Sequence, residues 1–134
     1  MVETLAMLFP NVATTRDITV RVAVSYLSEQ SDPASARWFW SYHVRIENGG
    51  GKAVQLLSRS WRIVDGHGTV HDVQGEGVVG EMPLIPTGGS FDYVSGCPLD
   101  TPSGSMSGSY RMVDEDGAAF DIAIPRFQLL APRN

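Results

Sequence analysis

Residues 38–47 read Trp-Phe-Trp-Ser-Tyr-His-Val-Arg-Ile-Glu. Every second position is apolar or aromatic, namely Trp38, Trp40, Tyr42, Val44 and Ile46, and mostly polar residues lie between them. Successive side chains of a β-strand point to opposite faces, so this period of two predicts a long strand with one aromatic, buried face. A surface α-helix would instead repeat its apolar residues every three or four positions.

The same period recurs along the chain. It is clear at 18–26, and at 54–64 it slips around residues 58–60, which predicts a β-bulge because a one-residue slip moves side chains to the other face. Residues 65–68, Asp-Gly-His-Gly, predict a hairpin turn with a returning strand over 69–74. With further alternating segments near 91–95, 106–112 and 120–124, the chain is expected to form about seven to nine antiparallel strands. This pattern is typical of an all-β sandwich or barrel, and the three tryptophans favour the wider interior of a β-sandwich.

Length and composition indicate one ordinary globular domain. The chain has 134 residues, of which 43% are hydrophobic and 19% are charged. We expect the sandwich domain over residues 17–130 and a loosely ordered N-terminal arm over residues 1–16.

Charge and cysteine content narrow the class of partners. The net charge is −5 and the 10 Lys and Arg residues are scattered, which argues against nucleic acid because its binders cluster their cations. No run approaches the roughly 18 apolar residues of a membrane span, and the first residues lack the basic start of a secretory signal, so we expect a cytoplasmic protein with no membrane association. Cys97 is the one cysteine, which excludes an intrachain disulfide, and we expect a buried, unreactive thiol.

A glycine-rich segment matches the G-x-G-x-x-G spacing of dinucleotide-binding loops; its residues are Gly75, Glu76, Gly77, Val78, Val79, Gly80 and Glu81. Such a loop needs a helix directly after it to hold the pyrophosphate, but Pro83 and Pro86 follow here. The two glutamates would also repel a phosphate. The segment therefore favours a structural turn, or an exposed recognition loop, over a nucleotide site. Its two valines are either presented to a partner or tucked into the core.

Several motifs, in order, resemble the ApaG family; they are Leu56–Trp61, Gly75–Glu81 with Pro83, Tyr93–Leu99, Pro102–Met106 with Tyr110, and Phe120–Pro125. The resemblance covers about residues 15–130. It implies an immunoglobulin-like or fibronectin type III-like β-sandwich. It also implies a link to cobalt and magnesium resistance or efflux, and a protein-interaction module, since eukaryotic interaction proteins carry the same domain.

Candidate metal chemistry is sparse. Asp65, His67 and His71 could converge at one end of the hairpin and are weak candidates for a divalent-cation site, although the two histidines do not share a helix face. The acidic turn at 114–116, with Asp121, supplies oxygen ligands without the spacing of a calcium loop. Arg59 and Arg62 flank Trp61 and form either an exposed cationic patch or a pair of outer-face strand residues.

No catalytic constellation emerges from these residues, so we expect a non-enzymatic binding module without a cofactor, whose protein partner the sequence does not name. Two alternatives stay open. One is a phosphate or nucleotide ligand, such as a diadenosine polyphosphate, at the loop from Gly75 to Gly80. The other is direct binding of a divalent cation. A homodimer through exposed sheet edges is a further option.

Overall fold

The computed structural model describes residues 8–132, in which no helix is long and apolar enough to cross a bilayer. These residues contain short 3-10 turns at Ser28–Gln30 and Pro33–Ser35. They also form nine strands, which are β1 (Asn11–Thr15), β2 (Ile18–Tyr26), β3 (Trp38–Asn48), β4 (Val54–Asp65), β5 (Val70–Glu76), β6 (Leu84–Ile85), β7 (Ser90–Leu99), β8 (Ser103–Asp114) and β9 (Ala119–Leu130).

Two antiparallel sheets stack face to face. One has the strand order β1-β2-β3-β7, and the other has the order β5-β4-β8-β9, with β6 paired to the start of β4. The β-sandwich predicted from the period-two pattern is confirmed, and the nine strands of residues 8–132 lie within the predicted range.

Side chains from both sheets meet in one core. The alternation predicted for β3 is confirmed, because Trp40, Tyr42, Val44 and Ile46 are all buried. Tyr42 meets Trp61 of the opposite sheet edge to face, with ring centroids 5.3 Å apart and an interplanar angle of 61°. Aromatic pairs of this kind contribute about 0.5–1.5 kcal/mol beyond the area that they bury.

The N-terminal segment differs from the prediction. Residues 11–15, expected to belong to a loosely ordered arm, form β1 and pair with β2 along their whole length. None of these five residues is buried, so backbone pairing with the edge of β2 holds the strand rather than apolar burial. Asn-Val-Ala-Thr-Thr carries little apolar alternation, which is why the pattern did not reveal a strand there. Residues 1–7 of the expected arm lie outside the described residues.

Strand β4 carries the predicted irregularity. Its pairing with β8 shifts between Leu56 and Ser58, just before the predicted position. Leu56 is buried before the shift and Trp61 is buried after it, so the inward positions change from even to odd numbers. The bulge therefore turns the side chain of Arg59 onto the inner face of the sheet, next to Trp61 and Ile63.

The two sheets are tied together at one side. There β1 and β2 lie against β9, and the backbone N–H of Ala123 donates to Thr15 Oγ1 at 3.1 Å. Trp40 Nε1 also donates across the sandwich to the carbonyl of Leu130 at 3.1 Å. At the other side the sheets end in the edge strands β7 and β5. We call the opening between these two strands the seam.

Candidate binding groove at the open seam

A cleft of about 690 Å³ opens at the seam. Strands β3, β4 and β8 supply its floor, and the edge strands β5 and β7 supply its two walls. Its lining residues are Arg37, Tyr42, Arg59, Trp61, Ile63, His71, Val73, the run from Ser95 to Asp100, and Met106.

The floor of this cleft is apolar and aromatic. Tyr42, Trp61, Cys97 and Met106 are each buried in the core and still reach the cleft surface. Val73 stands on the β5 wall and is 41% exposed, so the mouth presents an apolar side chain to solvent. Concave apolar surfaces with a few polar groups are the usual form of binding sites.

Arg59 is a charged residue whose side chain lies on the inner face of β4. Its Nη1 donates to the backbone carbonyls of Glu76 at 3.0 Å and Gly77 at 2.9 Å. Among residues 8–132 it forms no ion pair, and its Nε and Nη2 have no acceptor. Arg62 lies on the outer face, as one sequence alternative held, and pairs with Asp72 at 3.1 Å. Neither alternative fits Arg59, because the bulge before it turns its side chain inward.

A second cavity of about 270 Å³ continues the cleft past Arg59. It shares Tyr42, Arg59, Trp61 and Ser95 with the first cavity and ends at the turn formed by residues 78–80. We call the two cavities together the seam groove. Arg59 lies where they join, so the groove extends from it in both directions.

The loop from Gly75 to Glu81 closes one end of the seam groove. The N–H of Gly77 donates to the Leu57 carbonyl at 2.8 Å, and Val78 and Glu81 exchange two backbone hydrogen bonds of 2.8 and 2.9 Å. Val79 and Gly80 between them have positive φ angles of 44° and 81°, as in a type I′ hairpin turn. Three loop N–H groups are thus used inside the protein, and the chain continues into β6. This geometry favours the structural turn over the phosphate loop.

Only one of the two loop valines faces solvent. Val78 is fully buried in the core, whereas Val79 is 54% exposed. A β-branched residue with positive φ is strained, and strain of this kind costs on the order of 1–3 kcal/mol. Of the two alternatives left open for the valines, burial in the core applies to Val78 and exposure applies to Val79.

Asp65, His67 and His71 organise a hairpin. Asp65 Oδ1 accepts from the backbone N–H groups of His67 at 2.9 Å and Thr69 at 3.0 Å, and Oδ2 lies 3.3 Å from His71 Nε2. Burial raises the pKa of the Asp65 carboxyl, but these hydrogen bonds together outweigh it and lower that pKa. The hydrogen bond from His67 to Asp65 comes from its backbone N–H. Residues 8–132 hold no group of three or more His, Cys, Asp or Glu side chains placed to bind a metal ion.

The acidic turn is built in the same way. Asp114 Oδ1 accepts from the backbone N–H groups of Ala118 at 3.0 Å and Asp116 at 2.9 Å, and these bonds lower the pKa of its carboxyl. Asp116 also pairs with Lys52, and Asp121 pairs with Arg111 at 3.2 Å. These carboxylates hold a hairpin together.

Three buried titratable groups near Arg59 keep their protons at pH 7. Burial raises the pKa of the Cys97 thiol to about 11, as fits the unreactive residue predicted from the sequence. The hydroxyls of Tyr93 and Tyr110 are hydrogen-bonded to each other, and burial raises the pKa of both. The groove lining also includes the exposed residues Arg37, Glu76 and Asp100, whereas Arg59 is half-buried beside the aromatic floor.

Comparisons with known proteins agree on one family. The family model described as the ApaG domain matches residues 28–114. The chain is 55% identical over 119 residues to a protein named ApaG from Paramagnetospirillum magneticum, covering 89% of this chain and 92% of that protein. It is 52% identical over 120 residues to a protein of the same name from Rhizobium meliloti, covering 90% and 92%. A crystal structure from Bordetella pertussis is 47% identical, with a TM-score of 0.84, and covers 88% of this chain and 96% of that one.

Proposed function

The chain belongs to the ApaG domain family, and we propose that it acts as a non-enzymatic module that binds a segment of another protein in the seam groove. The observation that carries this proposal is the open seam itself. A cleft of about 690 Å³ opens along the seam beside Arg59, and buried aromatic residues line its floor.

The free edge of β7 supports the choice of a protein segment. The carbonyl of Phe39 accepts from Leu27 on the β2 side, so the backbone groups of Trp40 face β7 and bond Cys97. By alternation, the N–H groups of Val94 and Gly96 point away from the sheet. An extended segment can pair with such groups and place alternate side chains into the groove.

The loop that the sequence singled out belongs to the same surface. Val79, Met82 and Leu84 are 54%, 42% and 67% exposed, and Val79 lines the end of the seam groove. Backbone strain of the kind found at Val79 is often retained at binding sites. The proposal therefore keeps the Gly75–Glu81 loop as part of the partner surface through Val79.

Selection from a phage library of randomised peptides tests the proposal. Peptides enriched on the wild-type protein should bind a Val73→Asp variant at least about ten-fold more weakly, because a carboxylate on the groove wall disturbs an apolar contact. Val70→Asp is the matched control, since Val70 lies on the outer face of the same strand and is 49% exposed. Equal binding by the two variants, or no enrichment at all, would remove the seam groove as the site.

Self-association is a separate outcome of the same variants. Sedimentation of the wild-type protein reports whether copies pair through β5 or β7. If Val73→Asp converts a dimer into a monomer and Val70→Asp does not, a second copy fills the groove and a foreign partner is excluded there.

Within this proposal the link to cobalt and magnesium resistance rests on the family resemblance, and the cytoplasmic location rests on the composition. A bound protein, rather than a bound ion, would provide the link to metal resistance. Both oxygens of Asp65 are already engaged in its hairpin, which supports that choice. A ligand that binds the native state must raise stability by mass action. A concentration-dependent rise in Tm with Co²⁺ or Mg²⁺, lost in Asp65→Asn, would instead establish direct cation binding.

A further inference from the structure

Resting on the proposed function, we propose that Arg59 is the specificity-determining residue of the seam groove and binds the side-chain carboxylate of an internal Glu or Asp in an extended peptide segment. The partner class is thus an acidic residue flanked by apolar residues at alternate positions.

The state of the Arg59 guanidinium carries this inference. Arg59 is half-buried, and within residues 8–132 its guanidinium makes only the two carbonyl bonds from Nη1, with no carboxylate partner. Those bonds hold the guanidinium in place and leave the edge formed by Nε and Nη2 unused. That edge carries two parallel N–H groups, which match the two oxygens of a carboxylate.

The position of Arg59 along the groove distinguishes an internal acidic residue from a chain terminus. The larger cavity lies on one side of Arg59 and the smaller one on the other, and both include its side chain. A terminal carboxylate would leave one cavity empty. A continuous chain would fill both, with one acidic side chain over Arg59 and apolar side chains two positions away on either side.

The apolar surroundings strengthen the expected charge pair. Tyr42 and Trp61 border Arg59 in both cavities and are 6% and 4% exposed. Burying a carboxylate there would shield the pair from water, which makes such hydrogen bonds stronger than on an open surface. Arg37, Glu76 and Asp100 also line the two cavities but are exposed, so solvent screens their effect on a bound acidic side chain more than it screens the effect of Arg59.

Fluorescence anisotropy with designed peptides tests the inference. The probe is Leu-Thr-Val-Thr-Glu-Thr-Val-Thr-Leu, labelled and blocked at both ends, beside the same peptide with Gln at its centre. The wild-type protein should bind the Glu peptide roughly ten-fold more tightly than the Gln peptide, as a charge-assisted bidentate bond implies. In Arg59→Gln the two peptides should bind alike.

Controls separate this role from a structural one. Arg62→Gln removes a cation from the outer face of the same strand and should keep the Glu preference. Arg59→Lys keeps the charge without the fork and should retain part of the preference, even where Arg59→Gln lowers Tm. A Gln peptide with a free C-terminal carboxylate tests whether Arg59 binds a chain terminus instead of an internal acidic side chain.

Three outcomes overturn the inference. They are a Glu preference below about two-fold at peptide concentrations up to about 1 mM, a preference that survives Arg59→Gln, and tighter binding of the free-terminus peptide. The proposed function stands or falls separately on the library selection and the Val73→Asp comparison, because selected peptides could occupy the groove without an acidic residue.

Discussion

Arg59 lies directly over Gly75, so that a Cβ atom at Gly75 would stand 2.8 Å from Arg59 Nη1. Gly75 is opposite Arg59 in the pairing of β5 with β4, and the missing side chain provides the space through which the guanidinium reaches the carbonyls of Glu76 and Gly77. The glycine spacing resembles that of a phosphate loop, but here it makes room for the Arg59 side chain. The loop presents backbone carbonyl oxygens to the guanidinium.

Two alanine substitutions should separate the roles of these glycines. A Cβ at Gly77 would overlap the carbonyl oxygen of Glu81, and Gly77 has a φ of 62°, so Gly77→Ala should cost about 2–4 kcal/mol of unfolding free energy. Gly75→Ala meets only the flexible end of Arg59 and should cost about 1 kcal/mol or less. Urea denaturation measures both.

Gly75→Ala should have a small effect on stability but a clear effect on peptide binding. Gly75→Ala displaces the guanidinium, so it should reduce the preference for the Glu peptide while leaving the domain folded. If Gly75→Ala destabilises the protein as much as Gly77→Ala, the space over Gly75 is needed for the fold itself and not only for Arg59.

Val79→Asn should raise stability. Val79 holds a φ of 44° while 54% exposed, so the substitution removes β-branched strain and little burial, and it creates the Asn-Gly pair that type I′ turns prefer. We expect a gain of about 1 kcal/mol, seen as a higher Tm. Val94→Asn serves as the control, since Val94 is 59% exposed on a strand and gains nothing from asparagine. A fall in Tm for Val79→Asn would contradict the strain.

The same variant bears on function. If the strained valine is retained for partner contact, Val79→Asn should weaken the selected peptides even as it stabilises the domain, the usual exchange between stability and binding. Unchanged peptide binding would confine the partner surface to the seam groove beyond the turn.

The long strands could be read from the sequence because alternation reports side-chain direction. Residues 38–47 and 18–26 keep the period of two without interruption, and β3 and β2 match them closely. The bulge in β4 was also visible as a slip in the same pattern. Strand β1 was not, because its stability comes from backbone bonds to β2 and such bonds leave no mark on composition.

The candidate site was harder to predict for two physical reasons. The position of a bulge decides which face every later residue occupies, so placing it near 58–60 rather than at 56–58 left the face of Arg59 open. The seam groove depends on how two sheets meet, and residues as distant as Val73 and Cys97 approach only in the folded chain. The two adjacent leucines, Leu56 and Leu57, are the one local signal in the sequence that could have shown that the Arg59 side chain faces inward.

A double-mutant cycle on Tyr93 and Tyr110 should show strong coupling. Their hydroxyls bond to each other at the centre of the sandwich, where Tyr93 is 7% exposed and Tyr110 is fully buried. Either single change to Phe strands a buried hydroxyl, which costs about 1–3 kcal/mol, whereas the double change removes both partners and should cost little more than one single change. Additive losses would show that each hydroxyl has another partner.

Stability above pH 9 should depend on Cys97. Burial raises the pKa of its thiol to about 11 from the ordinary value of 9.0, so between these two values the unfolded chain binds fewer protons than the folded one. By linkage the contribution of the protonated thiol is complete below pH 9 and is lost as pH rises toward 11, by about 2 kcal/mol. The stability advantage of the wild-type protein over Cys97→Ala should therefore shrink across this window.

The comparison between these two proteins isolates the thiol, because Tyr93 and Tyr110 titrate in both. At pH 8 the same shift should slow the reaction of Cys97 with a disulfide reagent by about 100-fold relative to the unfolded protein in urea, where the thiol has its ordinary pKa. A constant difference between wild type and Cys97→Ala from pH 8 to pH 10.5, or equally fast thiol reactions in both states, would mean that water reaches the sulfur through the seam groove.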